Sequence, residues 1–113
     1  MYQRYPFKVV ADVHSYGELM IWPLGYTEKE VPNIAQFQEL WQKTFEKVNF
    51  QGGNSIQLLY PTTGTGRDYG YEKHGAISMT LEVGESFRPS FKETEKMWTE
   101  LSPHLLTLIE TAK

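Results

Sequence analysis

Apolar residues along this chain recur with two different periods, and the changes of period divide it into elements. Phe7–His14 (FKVVADVH) alternates: Val9, Ala11 and Val13 share one face, Val10, Asp12 and His14 the other, which predicts a largely buried strand. Leu19–Trp22 (LMIW) reads as a second short strand stopped by Pro23, and Glu28–Pro32 as a polar turn. Ile34, Phe37, Trp41, Phe45 and Val48, flanked by Leu40, then repeat at three and four, predicting an amphipathic helix of about four turns. Asn33, with Gln36 three residues on, offers that helix a capping box.

Gly52-Gly53 breaks the pattern, and Ser55–Tyr60 (SIQLLY) predicts a third strand. Pro61–Gly75 (PTTGTGRDYGYEKHG) has four glycines and no hydrophobic period, which marks a long functional or disordered loop. Its GTG is followed neither by Gly-Lys-Ser/Thr nor by an amphipathic helix, so a phosphate-binding loop is set aside. Ala76–Val83 (AISMTLEV) is the cleanest strand, with Ile77, Met79, Leu81 and Val83 opposite Ser78, Thr80 and Glu82. Lys92–Ala112 predicts a closing helix with Met97, Trp98, Leu101, Leu105, Leu108 and Ile109 on its buried stripe. Pro103 predicts a kink there or a restart capped by Ser102.

At 113 residues the chain is read as a single domain, residues 1–113, large enough for one core. Apolar residues make up 40% and aromatics 14%, as in a packed globule. A net charge of −3 with scattered basic residues argues against nucleic acid or an anionic membrane as partner. The absence of cysteine excludes disulfides and thiolate metal sites. No stretch approaches the ~20 apolar residues of a membrane span, and MYQRYPFK lacks a signal-peptide core; the compartment stays open.

Two residues invite a chemical reading. His14 closes a strand, and the carboxyl ends of strands in α/β sheets are where ligand crevices form; by spacing alone such a residue is more often a hydrogen-bonded structural histidine. Glu82 closes another strand among small polar neighbours, either as a working carboxylate or in a salt bridge. His104, four residues after Glu100, reads as a surface pair, and His74 as solvated.

Three clusters then combine. HSYGELMIWPLGY (14–26), LLYPTTGTGRDYGY (58–71) and ISMTLEVGESFRPSF (77–91) resemble, in order and spacing, the C-terminal part of the carboxypeptidase A-type zinc metallocarboxypeptidases, over about Phe7 to Ile109. The resemblance implies an α/β fold: a partial mixed sheet of three to four strands with two main helices, the C-terminal portion of a carboxypeptidase-like α/β/α fold. It implies that His14 is a zinc ligand and that Ser15 and Tyr16, joined by a cis bond in family members, flank the substrate subsite. Tyr60 corresponds to the mobile tyrosine over the substrate's terminal carboxylate, and Glu82 to the general base that takes a proton from the attacking water. Small residues such as Ser78 and Thr80 leave room for substrate. Arg67, before Asp68, falls at the base of the pocket for the C-terminal side chain, where a guanidinium favours Glu or Asp; the alternative is an Arg67 that swings into solvent or only pairs with Asp68.

The family's remaining zinc ligands, an upstream His-x-x-Glu, have no counterpart here, and neither do its arginines for the scissile carbonyl and terminal carboxylate. A catalytic zinc needs three protein ligands, so zinc is expected only if ligands come from outside this chain. VGESFRPSF also replaces the longer Leu-Arg-Asp hairpin of the animal digestive members. The resulting expectation is part of a peptidase acting on peptide C-termini, inactive alone and in need of a complementary chain or self-association. The alternatives are a non-catalytic carboxypeptidase-like subunit of a larger assembly and an unrelated small α/β binding domain.

Overall fold

The computed structural model describes residues 1–112. Four strands, β1 (Val9–His14), β2 (Leu19–Trp22), β3 (Gln51–Asn54) and β4 (Ile77–Glu82), form one mixed sheet in the order β1-β4-β2-β3. β1 runs parallel to β4, β2 antiparallel to β4, and β3 parallel to β2. The expected mixed α/β arrangement is therefore present: the two main helices are α1 (Ile34–Thr44) and α4 (Phe91–Thr111), and two shorter ones, α2 (Ser55–Leu58) and α3 (Gly66–His74), lie between them in the chain.

The alternation of β4 divides the molecule. Met79 and Leu81 turn to one side with Met20, where Leu40, Phe45 and Phe50 and the α4 residues Leu101 and Leu108 close a core. Phe45 is fully buried and stacks on Phe50 with ring centroids 5.2 Å apart; burying such a side chain contributes about 1.5–3 kcal/mol. Ser78 and Thr80 turn to the other side, where α3 packs on β4 and β1.

Several expectations are corrected by packing that periodicity does not encode. β1 is an edge strand, not a largely buried one, and Val13 is 58% exposed. The third strand is Gln51–Asn54, across the glycine pair, and not Ser55–Tyr60. Gly52 fits because the Trp22 and Trp41 rings lie on it: a Cβ there would meet Trp22 at 2.7 Å and Trp41 at 2.9 Å. Ser55–Leu58 instead turns as α2, started by a capping box in which Asn54 accepts from the Gln57 N–H and Gln57 accepts from the Asn54 N–H.

The expected loop at 61–75 contains α3, so a helix does open after the GTG. Thr65 caps it by accepting from the Asp68 N–H, and Gly75 ends it in the left-handed region at φ 64°. The first helix stops at Thr44 and continues only as a 3-10 turn at Glu46–Val48. Asn33 makes no cap bond to the backbone; its side chain reaches Gln36 and the Tyr71 hydroxyl instead. α4 runs through Pro103 without a break. His104 does not pair with Glu100: its Nδ1 donates to the Thr44 carbonyl at 2.7 Å, while Glu100 takes Lys96. His74 is half-buried, stacked on Tyr2 at 4.6 Å and edge-on to Tyr69.

Candidate active site

Parallel pairing of β1 with β4 sets His14 opposite Glu82 in register, so both end their strands at the same mouth of the sheet. Neighbouring strands lie about 4.8 Å apart, and the ladder closes with Val83 N–H donating to the His14 carbonyl at 2.8 Å. Asp12 and Thr80 form the preceding pair on the same face. His14 is exposed, with Nε2 3.1 Å from Asp12 Oδ2. Partial burial pushes the Glu82 carboxyl above its ordinary value; His14 opposes that rise and the Asp12 charge adds to it.

Arg67 lies at the inner end of this row, 3% exposed. Its Nη1 donates to Thr80 Oγ1 at 3.3 Å, its Nη2 to Thr62 Oγ1 at 3.0 Å, and its Nε to Asp68 Oδ1 at 3.3 Å. Asp68, 4% exposed, also accepts from the Gly25 N–H at 3.0 Å. Of the two alternatives for Arg67, swinging into solvent is therefore excluded, and pairing with Asp68 is one of three bonds rather than the whole role. Three of its five N–H groups are engaged in these bonds. Gly25 has no room for a side chain: a Cβ would lie 2.0 Å from Thr62 Oγ1 and 2.8 Å from Arg67 Nη2.

His14, Glu82, Thr80, Arg67 and Asp68 thus form one continuous row. Ser15 and Tyr16, joined to each other by a cis peptide bond as expected, follow His14; both are exposed, and Tyr16 meets Phe87 edge-on at 4.9 Å. Tyr60 stands out on the surface, 63% exposed, two residues before Thr62, whose hydroxyl belongs to the row. Ser78 does not leave space for a ligand. It is fully buried beneath Gly70, where an added Cβ would meet Ser78 Oγ at 2.8 Å. The Thr80 hydroxyl is held between Arg67 and Asp12.

Asp12, Thr62 and Gly25 escaped the sequence reading as site residues. Only Asp12 left a signal, since the period of two puts it on the face of His14. Whether these residues suit a catalytic zinc is decided by the donor set. His14 is the one imidazole at the mouth, and among the described residues no group of three or more metal-ligating side chains comes together. A catalytic zinc takes three protein ligands, so the donors among the described residues do not by themselves fit one.

The chain as a whole is similar to known proteins. A family model described as zinc carboxypeptidase matches residues 1–103. Carboxypeptidase A1 of Bos taurus is 25% identical over 91 residues, 75% of this chain. Carboxypeptidase O of Homo sapiens is 30% identical over 80 residues, 66% of this chain. The chain spans only 22% and 21% of these two relatives. Among solved structures, bovine thrombin-activatable fibrinolysis inhibitor in complex with tick carboxypeptidase inhibitor has a similar fold, with a TM-score of 0.82 at 16% identity, covering 93% of this chain and 39% of that one. Carboxypeptidase A from Helicoverpa armigera gives 0.71 at 19% identity, over 93% and 30%.

Proposed function

The chain belongs to the zinc carboxypeptidase family, and from that premise we propose that it is the C-terminal portion of a peptidase catalytic domain, acting on peptide C-termini once completed from outside. The observation that carries this reading is the in-register pairing of His14 with Glu82 at the sheet mouth. His14 would be this chain's contribution to a zinc site, which the missing His-x-x-Glu must complete. Glu82, its carboxyl raised by burial, suits a base that takes a proton from the attacking water and passes it to the leaving amine. Ser15, Tyr16 and Tyr60 border the substrate, and Tyr60 is free of the row and exposed enough to close over it.

Arg67, Asp68 and Thr80 form the base of the pocket for the terminal side chain. Arg67's two remaining N–H groups suit a carboxylate, so the preferred terminal residue is Glu or Asp. The test joins this chain to a polypeptide carrying the family's His-x-x-Glu and compares otherwise identical peptides ending in Glu, Phe or Lys. Fastest release of Glu, abolished by Glu82→Gln, is expected; faster release of Phe or Lys removes the acidic preference.

The second reading, a non-catalytic subunit of a larger assembly, draws on the lack of a complete ligand set among the described residues. A metal-free assembly unaffected by Glu82→Gln would support it. Either reading calls for a complementary chain or self-association, because β1 and β3 leave both edges of the sheet open.

A further inference from the structure

Donor and acceptor inventories fix the direction of every bond around Asp12. A guanidinium can only donate, and an ionised carboxylate can only accept. Thr80 Oγ1, held between the two, therefore accepts from Arg67 Nη1 at 3.3 Å and gives its own proton to Asp12 Oδ1 at 2.9 Å. The other oxygen of that carboxylate, Oδ2, lies 3.1 Å from His14 Nε2, so the neutral imidazole carries its proton on Nε2. Two donor chains, one from each end of the row, converge on a single side chain.

We infer that Asp12 is a positioning residue: it holds His14 as the Nε2–H tautomer, leaving the lone pair on Nδ1, and through Thr80 it aims the Arg67 guanidinium. The inference concerns the site proposed above and rests on that reading for what His14 and Arg67 do. The bonds themselves do not depend on it. Asp12 is only half-buried, so the carboxylate acts as a shared acceptor rather than as part of the packed core.

The test uses the chain alone, without metal or peptide, at a pH where the imidazole is neutral. Long-range proton–nitrogen correlation spectra read the His14 tautomer, and the Arg67 side-chain signals read whether its guanidinium is held. Wild type is expected to show a protonated Nε2 and separate, slowly rotating Arg67 Nη signals. Asp12→Asn is the informative variant. Two donors into Thr80 would strand the hydroxyl proton at a buried position, so the Asn carbonyl must face Thr80 and its NH2 must face His14. The imidazole proton then moves to Nδ1 while the Arg67 signals stay separate. In Asp12→Ala and Thr80→Val the Arg67 signals are expected to merge, and Thr80→Val leaves the His14 tautomer as in wild type.

A wild-type imidazole protonated on Nδ1 overturns the inference without any variant. It is equally overturned by an Asp12→Asn imidazole still protonated on Nε2, or by Arg67 signals that ignore Asp12→Ala. A failed peptide assay would leave these spectra unchanged, and failed spectra would leave the peptide assay open, so the two readings fall separately.

Discussion

Replacing Arg67 by Met probes the inner end of the row. The guanidinium and the Asp68 carboxylate are buried to 2% and 6% side-chain exposure. The substitution removes the bonds to Asp68, Thr80 and Thr62 and leaves the carboxylate with only the Gly25 N–H. Breaking a buried pair by removing one partner costs about 3–5 kcal/mol, because an uncompensated charge stays inside. The same change at a solvent-exposed pair costs about 1 kcal/mol or less. Urea unfolding followed by both tryptophan fluorescence and far-ultraviolet dichroism separates these figures. Arg67→Met is expected to lose about 3 kcal/mol or more. Adding Asp68→Asn, which removes the charge yet keeps an acceptor for Gly25, is expected to recover about half of that loss. A single-variant cost below about 1 kcal/mol, or a double variant no better than the single one, would refute the buried cradle.

Gly25→Ala forces a Cβ to within 2.0 Å of Thr62 Oγ1; overpacking of this kind costs about 1–3 kcal/mol, and Thr62→Ala in the same chain should relieve part of the loss in urea unfolding. The raised Glu82 carboxyl keeps a proton in the native state that the unfolded chain has already released. Stability should therefore fall as pH rises from about 4.3, the ordinary Glu value, through the raised native value, and Glu82→Gln should flatten that fall; identical pH slopes for both proteins would contradict it. Ser90→Ala removes the cap that accepts from the Glu93 N–H and that holds the Glu93 carboxyl below its ordinary value. It is expected to cost about 1 kcal/mol by thermal unfolding, with the Glu93 titration moving up toward normal.

What could be read from the chain follows from where each element gets its stability. β4 and β2 bury runs of apolar residues, so both strands showed in the residues themselves. α4 showed as a helix, but its expected stripe holds only in part: Leu101 and Leu108 are buried, while Trp98 and Ile109 are 63% and 64% exposed. α3 did not show, because the residues it buries are Arg67, Asp68 and Gly70. Their partners, Thr80 and Gly25, lie 13 and 43 residues away, and no local pattern predicts such bonds. The strand at Gln51–Asn54 was hidden for a related reason: two glycines hold no apolar signal, and the Trp22 ring that covers Gly52 comes from another strand. The Asn54–Gln57 capping box was visible as residue types and was outweighed by the apolar look of SIQLLY.

At the site, the ends of β1 and β4 were legible one at a time. That His14 and Glu82 face each other is a property of parallel pairing between strands more than sixty residues apart, which only the fold supplies. Asp12 lay in plain view on the face of His14. Its importance comes from Thr80 and Arg67 on the neighbouring elements.

Zinc content, measured in the purified chain and in the same chain joined to a polypeptide supplying His-x-x-Glu, tests the half-site most directly. Little zinc in the chain alone, one zinc per completed assembly, and its loss on His14→Ala are the expected results. Stoichiometric zinc that survives His14→Ala would contradict the account, because the metal would then be held without the one ligand this chain is taken to bring.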